Sequence, residues 1–364
     1  MNHWKETAEI LSRLAELTAS GRRAALATVV GIAGSGYRRS GAKFLIEETG
    51  ATLGSVSGGC LEADVREVAK AVLETGAPSL RHYSTGGDED AVGGLGLGCN
   101  GLVDIFVQPA TEGPLAELAA PLLELLAGDA PFALLTVIDG EEGLGATRVL
   151  GLEGTTHGSL GSAELDRLAA EPARGLLPGG RSAVQTVAGR GIFVEVLPPP
   201  PHLVICGAGD DARPLVAYAA DAGFRVTLVD HRPALLEPAW FPQASQRLLA
   251  RPEDPEIVLP PAGRSLAVVK THSLAHDREW ARRLLAAGLP YVGMLGPRER
   301  TEAILREIGA GPAETGRVFG PVGLDLGADG PRQVALSIVA ELLAFIAQRA
   351  PRHLSERRQA IHAA

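Results

Sequence analysis

The sequence predicts an α/β protein: an N-terminal α/β domain with glycine-rich loops, followed by a C-terminal Rossmann-like domain built on a doubly wound parallel sheet. Three observations carry this. Residues 202–230 read strand, glycine turn, helix, strand, acid. Residues 198–201 are four consecutive prolines, a stiff break between domains. On either side, β-branched apolar runs alternate with helical patterns. The domains are therefore expected at 1–197 and 202–350, joined by the 198–201 linker and followed by a polar tail at 351–364.

Composition narrows the class. A chain of 364 residues has room for two cores. Net charge is −9 and no basic stripe is present, which argues against nucleic acid as a partner. Cys60, Cys99 and Cys206 are an odd, sparse set without metal-ligand spacing, as expected in a reduced compartment. No uncharged run reaches membrane length and the N-terminus lacks a secretory pattern, so no membrane partner and a cytoplasmic location are expected. Glycine, at 45 residues, is well above the usual ~7% while hydrophobic content stays at 46%. That combination predicts tight ligand-side loops rather than disorder.

In the first domain, residues 4–19 form an amphipathic helix with Ile10, Leu14 and Leu17 on one stripe and Gly21 as its stop. The run 24–32 (AALATVVGI) reads as a buried strand that empties into Gly34-Ser35-Gly36-Tyr37-Arg38-Arg39-Ser40-Gly41. This loop either presents backbone N–H groups and arginines to an anion or is a hairpin with a solvated arginine pair. Strands at 43–47 and 52–56 lead to Ser57-Gly58-Gly59-Cys60-Leu61-Glu62 and a helix over 61–74. Cys60 thus sits at a helix start, where the partial positive charge favours thiolate or a bound anion; the alternative is a small residue among glycines. Strands at 80–83 and 102–109 bound the glycine-dense segment 84–101, a binding loop that carries Cys99, or else a mobile flap. A helix at 114–128, strands at 132–138, 147–150 and 192–197, and a helix near 162–170 complete the domain without evident chemistry.

In the second domain Gly207 allows the strand-to-helix turn, Gly209 lets a phosphate approach, and Ala212 packs helix on strand. Asp230, 23 residues after Gly207, is placed to accept from ribose hydroxyls, with the cation Arg232 beside it. Asp210 and Asp211 bring two negative charges near the expected phosphate. The strand at 266–270 ends in Thr271-His272, at the edge where such sheets bind ligands, so His272 is a site candidate or the cap of the next helix. His272 and His276 have i,i+4 spacing, but no third metal ligand has supporting spacing, so no metal is expected. A strand at 291–295 precedes Arg298 and Arg300, which bind phosphate or are solvated. Pro331 opens a long helix with Val334, Ile338, Val339, Leu342 and Ile346 as its stripe.

Together these segments resemble the XdhC/CoxI family, accessory proteins of xanthine dehydrogenase and related molybdenum hydroxylases. In the first domain the resemblance rests on Gly34-Ser35 with Arg38, GAKFLI (41–46), GSVSGGCLEADV (54–65) and GLGCNG (96–101). In the second it rests on VICGAGDDARPLV, VTLVDHRP, KTHSLAHD, YVGMLGPRER and GPVGLDLGADGPRQVALSIVAE. The sequence departs from common members at Asp210, where many have histidine, and at Pro297, where many have serine.

The resemblance implies a cofactor chaperone rather than a turnover enzyme. Such a protein binds the molybdenum cofactor (molybdopterin) and holds it while a cysteine desulfurase exchanges an oxo for a sulfido ligand. It then inserts the cofactor into an apo molybdenum hydroxylase of xanthine dehydrogenase or CO dehydrogenase type. It places Arg38, Cys60, Glu62 and Cys99 at the cofactor site, with Gly58 and Gly59 in the same loop and the two thiols as candidates for chemistry. A homodimer is expected, since paired helices and glycine loops would shield an oxidisable ligand. The competing reading is an NAD(P)-dependent oxidoreductase acting on a small carbonyl or hydroxyl substrate, with Asp230 on the dinucleotide and His272 or His276 as acid/base. A third is a regulatory nucleotide-binding module without turnover.

Overall fold

The GAKFLI motif that opens the second strand has an echo about a hundred residues on: Gly41-Ala42-Lys43 recurs as Gly145-Ala146-Thr147. In the computed structural model, which describes residues 4–34, 37–84, 101–152, 154–254 and 262–357, this echo marks an internal duplication. The first copy runs α1 (Trp4–Ala19), β1 (Ala24–Gly34), β2 (Lys43–Glu47), β3 (Thr52–Gly54), α2 (Glu62–Thr75), β4 (Ser79–Ser84), β5 (Gly101–Pro109). The second runs α3 (Pro114–Ala127), β6 (Phe132–Asp139), β7 (Thr147–Gly151), β8 (Thr156–Gly158), α4 (Ala163–Leu176), β9 (Ala183–Val187), β10 (Arg190–Leu197). Each makes a five-stranded antiparallel sheet, in the orders β3-β2-β1-β5-β4 and β8-β7-β6-β10-β9. Helix, three strands, helix and two strands have been laid down twice.

Packing follows the same symmetry. The outer face of the first sheet buries Ala25, Ala27 and Val29 under Val65, Val68 and Val72 of α2. The second sheet buries Ala133, Leu135 and Val137 under Leu165, Ala169 and Ala173 of α4. Each valine or leucine so buried stabilises by about 1.5–3 kcal/mol. On the inner faces α1 and α3 share one core, Ile10, Leu14 and Leu17 meeting Leu115, Leu118 and Leu122. The seam is closed by Val30 and Phe106 against Ile138 and Phe193, again equivalent pairs.

The chain divides into two compact units between Pro199 and Pro200, inside the proline run. The last described residues, Leu354 to Arg357, are grouped with the first unit. The second unit holds β11 (His202–Cys206), α5 (Ala212–Asp221), β12 (Arg225–Asp230), β13 (Gln246–Leu249), β14 (Ser265–Val269), α6 (Leu274–Ala286), β15 (Tyr291–Met294), α7 (Arg298–Ile308), α8 (Pro312–Thr315), β16 (Val318–Phe319) and α9 (Pro331–Ile346). Its sheet is parallel throughout, in the order β13-β12-β11-β14-β15-β16, so strand direction of travel reverses between β11 and β14. That reversal creates the crevice where ligands bind such sheets. Cys206 is wholly buried at the end of β11, and burial pushes its thiol well above the usual range. Among the described residues no helix is long and apolar enough to cross a membrane.

Candidate functional site

The three connections that carry the first domain's motifs leave one edge of the first sheet. Gly34 pairs with Gly101, Ser84 with Leu102 and Phe44 with Gly54, so the ends of β1, β3 and β4 lie beside the starts of β2 and β5. The duplication provides an internal control. Between β3 and α2 there are seven residues, against four between β8 and α4; between β4 and β5 there are sixteen, against two between β9 and β10. One copy has kept its loops short while the other has enlarged them along one edge.

Within that edge, Ser57 organises the Cys60 loop. Its hydroxyl oxygen accepts the N–H groups of Gly59, Cys60 and Leu61, each at 3.1 Å, and donates to Glu62 Oε2. Glu62 Oε1 in turn accepts the Ser57 N–H at 2.9 Å. Burial alone would raise the Glu62 carboxyl, but these hydrogen bonds hold it below the ordinary carboxylate range. The N–H groups expected to meet an anion at this helix start are therefore spent on Ser57, and Glu62 braces the loop that presents Cys60. The second copy does the same with Asp166, which accepts from Leu160 N–H at 2.8 Å and Ser159 Oγ at 2.9 Å. That copy has no cysteine in its loop.

Cys60 itself is exposed. Gly59 has φ +110°, with open space where a side chain would begin. A Cβ on Gly58 would sit 3.6 Å from the ring of Tyr37, which is largely exposed, so the loop after β1 lies across the glycines. Next to Tyr37, Arg38 Nη1 donates to Ser55 Oγ at 3.0 Å and Nη2 to Glu6 Oε1 of α1 at 2.5 Å. Arg38 thus ties α1 to the loop after β3. The structure brings Arg38, Gly58, Gly59, Cys60 and Glu62 into one cluster; Cys99, like Ser35, lies outside the described residues. Tyr37, Ser55 and Ser57 stand in the runs quoted from the sequence, but none was given a role there; no spacing rule marks Ser57, which lies five residues before Glu62 and is not the cap of α2.

In the second unit Gly207 is obligatory: its φ is +117°, and a Cβ would lie 2.5 Å from the Lys270 carbonyl oxygen. Ala212 is fully buried against the sheet as expected. Asp230 is engaged within the unit. Its Oδ2 accepts the Ala208 N–H at 2.7 Å, while Arg232 binds both oxygens through N, Nε and Nη2, each at 2.9 Å. Burial would raise this carboxyl, yet the hydrogen bonds from Arg232 and Ala208 bring it down to about 2. Arg232 rather than Asp230 therefore faces solvent at the end of β12. Asp210 pairs with Arg213 at 3.0 Å, and Asp211 with Lys270 at 2.7 Å and His272 at 3.2 Å, so their charges are offset locally. His272 adopts φ +59° and is mostly exposed. His276 stacks edge-on against His231, and the described residues contain no metal-ligand cluster. Arg300 is held by Asp277 at 2.5 Å.

The model of the XdhC Rossmann domain matches residues 203–342, and that of the XdhC and CoxI family matches residues 17–84. A Bacillus subtilis (strain 168) protein, described as one of the subunits of a probable xanthine dehydrogenase, is 32% identical over 321 residues, covering 88% of this chain and 92% of the relative. The chain belongs to the XdhC and CoxI family. The XdhC/CoxI match ends at Ser84, so it falls on the first copy alone. A Bacillus halodurans crystal structure described as a xanthine dehydrogenase covers 97% of this XdhC-type chain and 98% of its own, with 28% identity and a TM-score of 0.76. An Escherichia coli (strain K12) protein, YqeB, is 25% identical over 58% of this chain but only 43% of its own length.

Proposed function

We propose that this protein is an accessory factor that binds the molybdenum cofactor at the loop edge of the first copy, supports its sulfuration by a cysteine desulfurase, and inserts it into a molybdenum hydroxylase. One observation carries the reading: the enlarged loops, the exposed Cys60 and the XdhC/CoxI match all fall on the same copy of a duplicated fold. A soft thiol suits molybdenum chemistry. Tyr37, lying over Gly58, and the open space at Gly59 offer a flat wall to a pterin, and Arg39, next to the Glu6-paired Arg38, adds positive charge to the same loop for a phosphate-bearing ligand. The bound cargo supplies the redox chemistry; the chain's part is to present Cys60 from a loop braced by Ser57 and Glu62 and to shield the ligand. The description of the Bacillus subtilis relative supports a hydroxylase of the xanthine dehydrogenase type as client.

The test is transfer. Protein purified without air from a host that makes the cofactor is mixed with cofactor-free hydroxylase, and hydroxylase activity is followed. Activity that appears with the wild type and not with Cys60→Ser supports the proposal; equal activation by both removes Cys60 from it.

A further inference from the structure

The crevice of the second unit contains a buried cation whose only role so far is to offset Asp211. Lys270 follows β14 at the point where the strand order reverses, and its side chain is only 2% exposed. Its Nζ lies 2.7 Å from Asp211 Oδ1, its one ion-pair partner among the described residues, so an ammonium with three hydrogens has donors to spare. A buried ammonium with unused donors is costly unless a ligand completes it. Beside it opens a cavity of about 230 Å³, floored by Leu215, Leu295, Val334 and Ile338 and bounded by Pro331 in the first turn of α9.

The cavity continues the glycine turn, because Asp211 belongs to both. With its phosphates at Gly207–Ala212, a dinucleotide directs its adenosine toward the end of β12, where Asp230 and Arg232 stand, and its other half toward the end of β14. The pair at that end is neutral overall. An anion would gain Lys270 but meet Asp211, whereas a carboxamide offers an oxygen to the first and an N–H to the second. We propose that the second unit binds a nicotinamide dinucleotide with its carboxamide ring in this cavity, Lys270 donating to the amide oxygen and Asp211 accepting the amide N–H. The apolar floor packs against the ring. This site is independent of the molybdenum cofactor reading, and its test leaves that reading untouched.

The experiment is calorimetric titration of the full chain with NADH and with ADP-ribose, which lacks the nicotinamide. NADH is expected to bind at least about tenfold more tightly. Lys270→Met is expected to erase that ratio while changing ADP-ribose affinity by less than about twofold. Val334→Trp, which fills the cavity from its apolar side, is expected to do the same without disturbing the charged pair. Equal affinities in the wild type, no binding of either nucleotide, or a preference retained in both variants would overturn the proposal.

Discussion

Lys43 of β2 and Glu195 of β10 form a buried ion pair across the seam between the two copies, each side chain less than a tenth exposed. The contact is half of a near-symmetric arrangement. A Cβ on Gly41 would sit 3.0 Å from Glu195 Oε1, and one on Gly145 would sit 3.3 Å from Oε1 of Gln108, the equivalent residue of the first copy. Removing one partner strands a buried charge. Lys43→Met is therefore expected to cost about 3–5 kcal/mol, and adding Glu195→Gln to recover most of it. Urea denaturation of the single and double variants measures both.

Gly54 and Gly158 end equivalent strands with φ of +82° and +74°, and a Cβ at either would lie 2.4 Å from a carbonyl oxygen, of Lys43 and Thr147 respectively. Alanine at each position is expected to lower stability by a similar amount, at least about 1–3 kcal/mol. Only Gly54→Ala is expected also to reduce cofactor retention, because only Gly54 leads into the Cys60 loop. Thermal melts alongside pterin content separate the two effects.

Ser57→Ala leaves the N–H groups of Gly59, Cys60 and Leu61 without their acceptor. The expected cost is about 1–3 kcal/mol of stability, with a less ordered Cys60 loop. The rate at which Cys60 reacts with an alkylating reagent, measured in the folded protein, should change in Ser57→Ala and stay constant in Ser159→Ala.

The Asp230 carboxyl is held at about 2 in the folded unit, below its usual 3.8. A depressed acid stabilises the fold fully above its unfolded value and loses that contribution as pH falls through the folded one. The second unit should thus lose about 2 kcal/mol between roughly pH 4 and pH 2. Asp230→Asn should flatten that part of a pH-stability curve followed by denaturant midpoint.

Much of this was readable from residue order. The 4–19 helix, the βαβ unit at 202–230 and the proline break stand out because periodicity and glycine placement act locally. The edge strands β8, β9 and β13 escaped notice, being short and largely exposed, and α4 runs through Pro172 to Leu176 where an earlier end was expected. The duplication was hidden because the copies keep the order of their elements rather than residue identity or loop length. GAKFLI and GATRVL share only two residues, and the loops differ in length by up to fourteen. At the site, the glycines and Cys60 were visible while Ser57 was not. Nor does sequence show that Arg232 donates to both Asp230 oxygens. Lys270 looked like the last residue of an apolar strand, and only the fold shows it buried beside a cavity.

The most direct measurement is the pterin released on denaturing protein purified without air from a host that makes molybdenum cofactor, read by the fluorescence of its oxidised form. Near-stoichiometric pterin in the wild type and in Asp166→Asn, which alters the second copy's brace, with loss in Cys60→Ser, is the predicted result. Pterin absent from the wild type, or retained in full by Cys60→Ser, would contradict a cofactor site on the first copy.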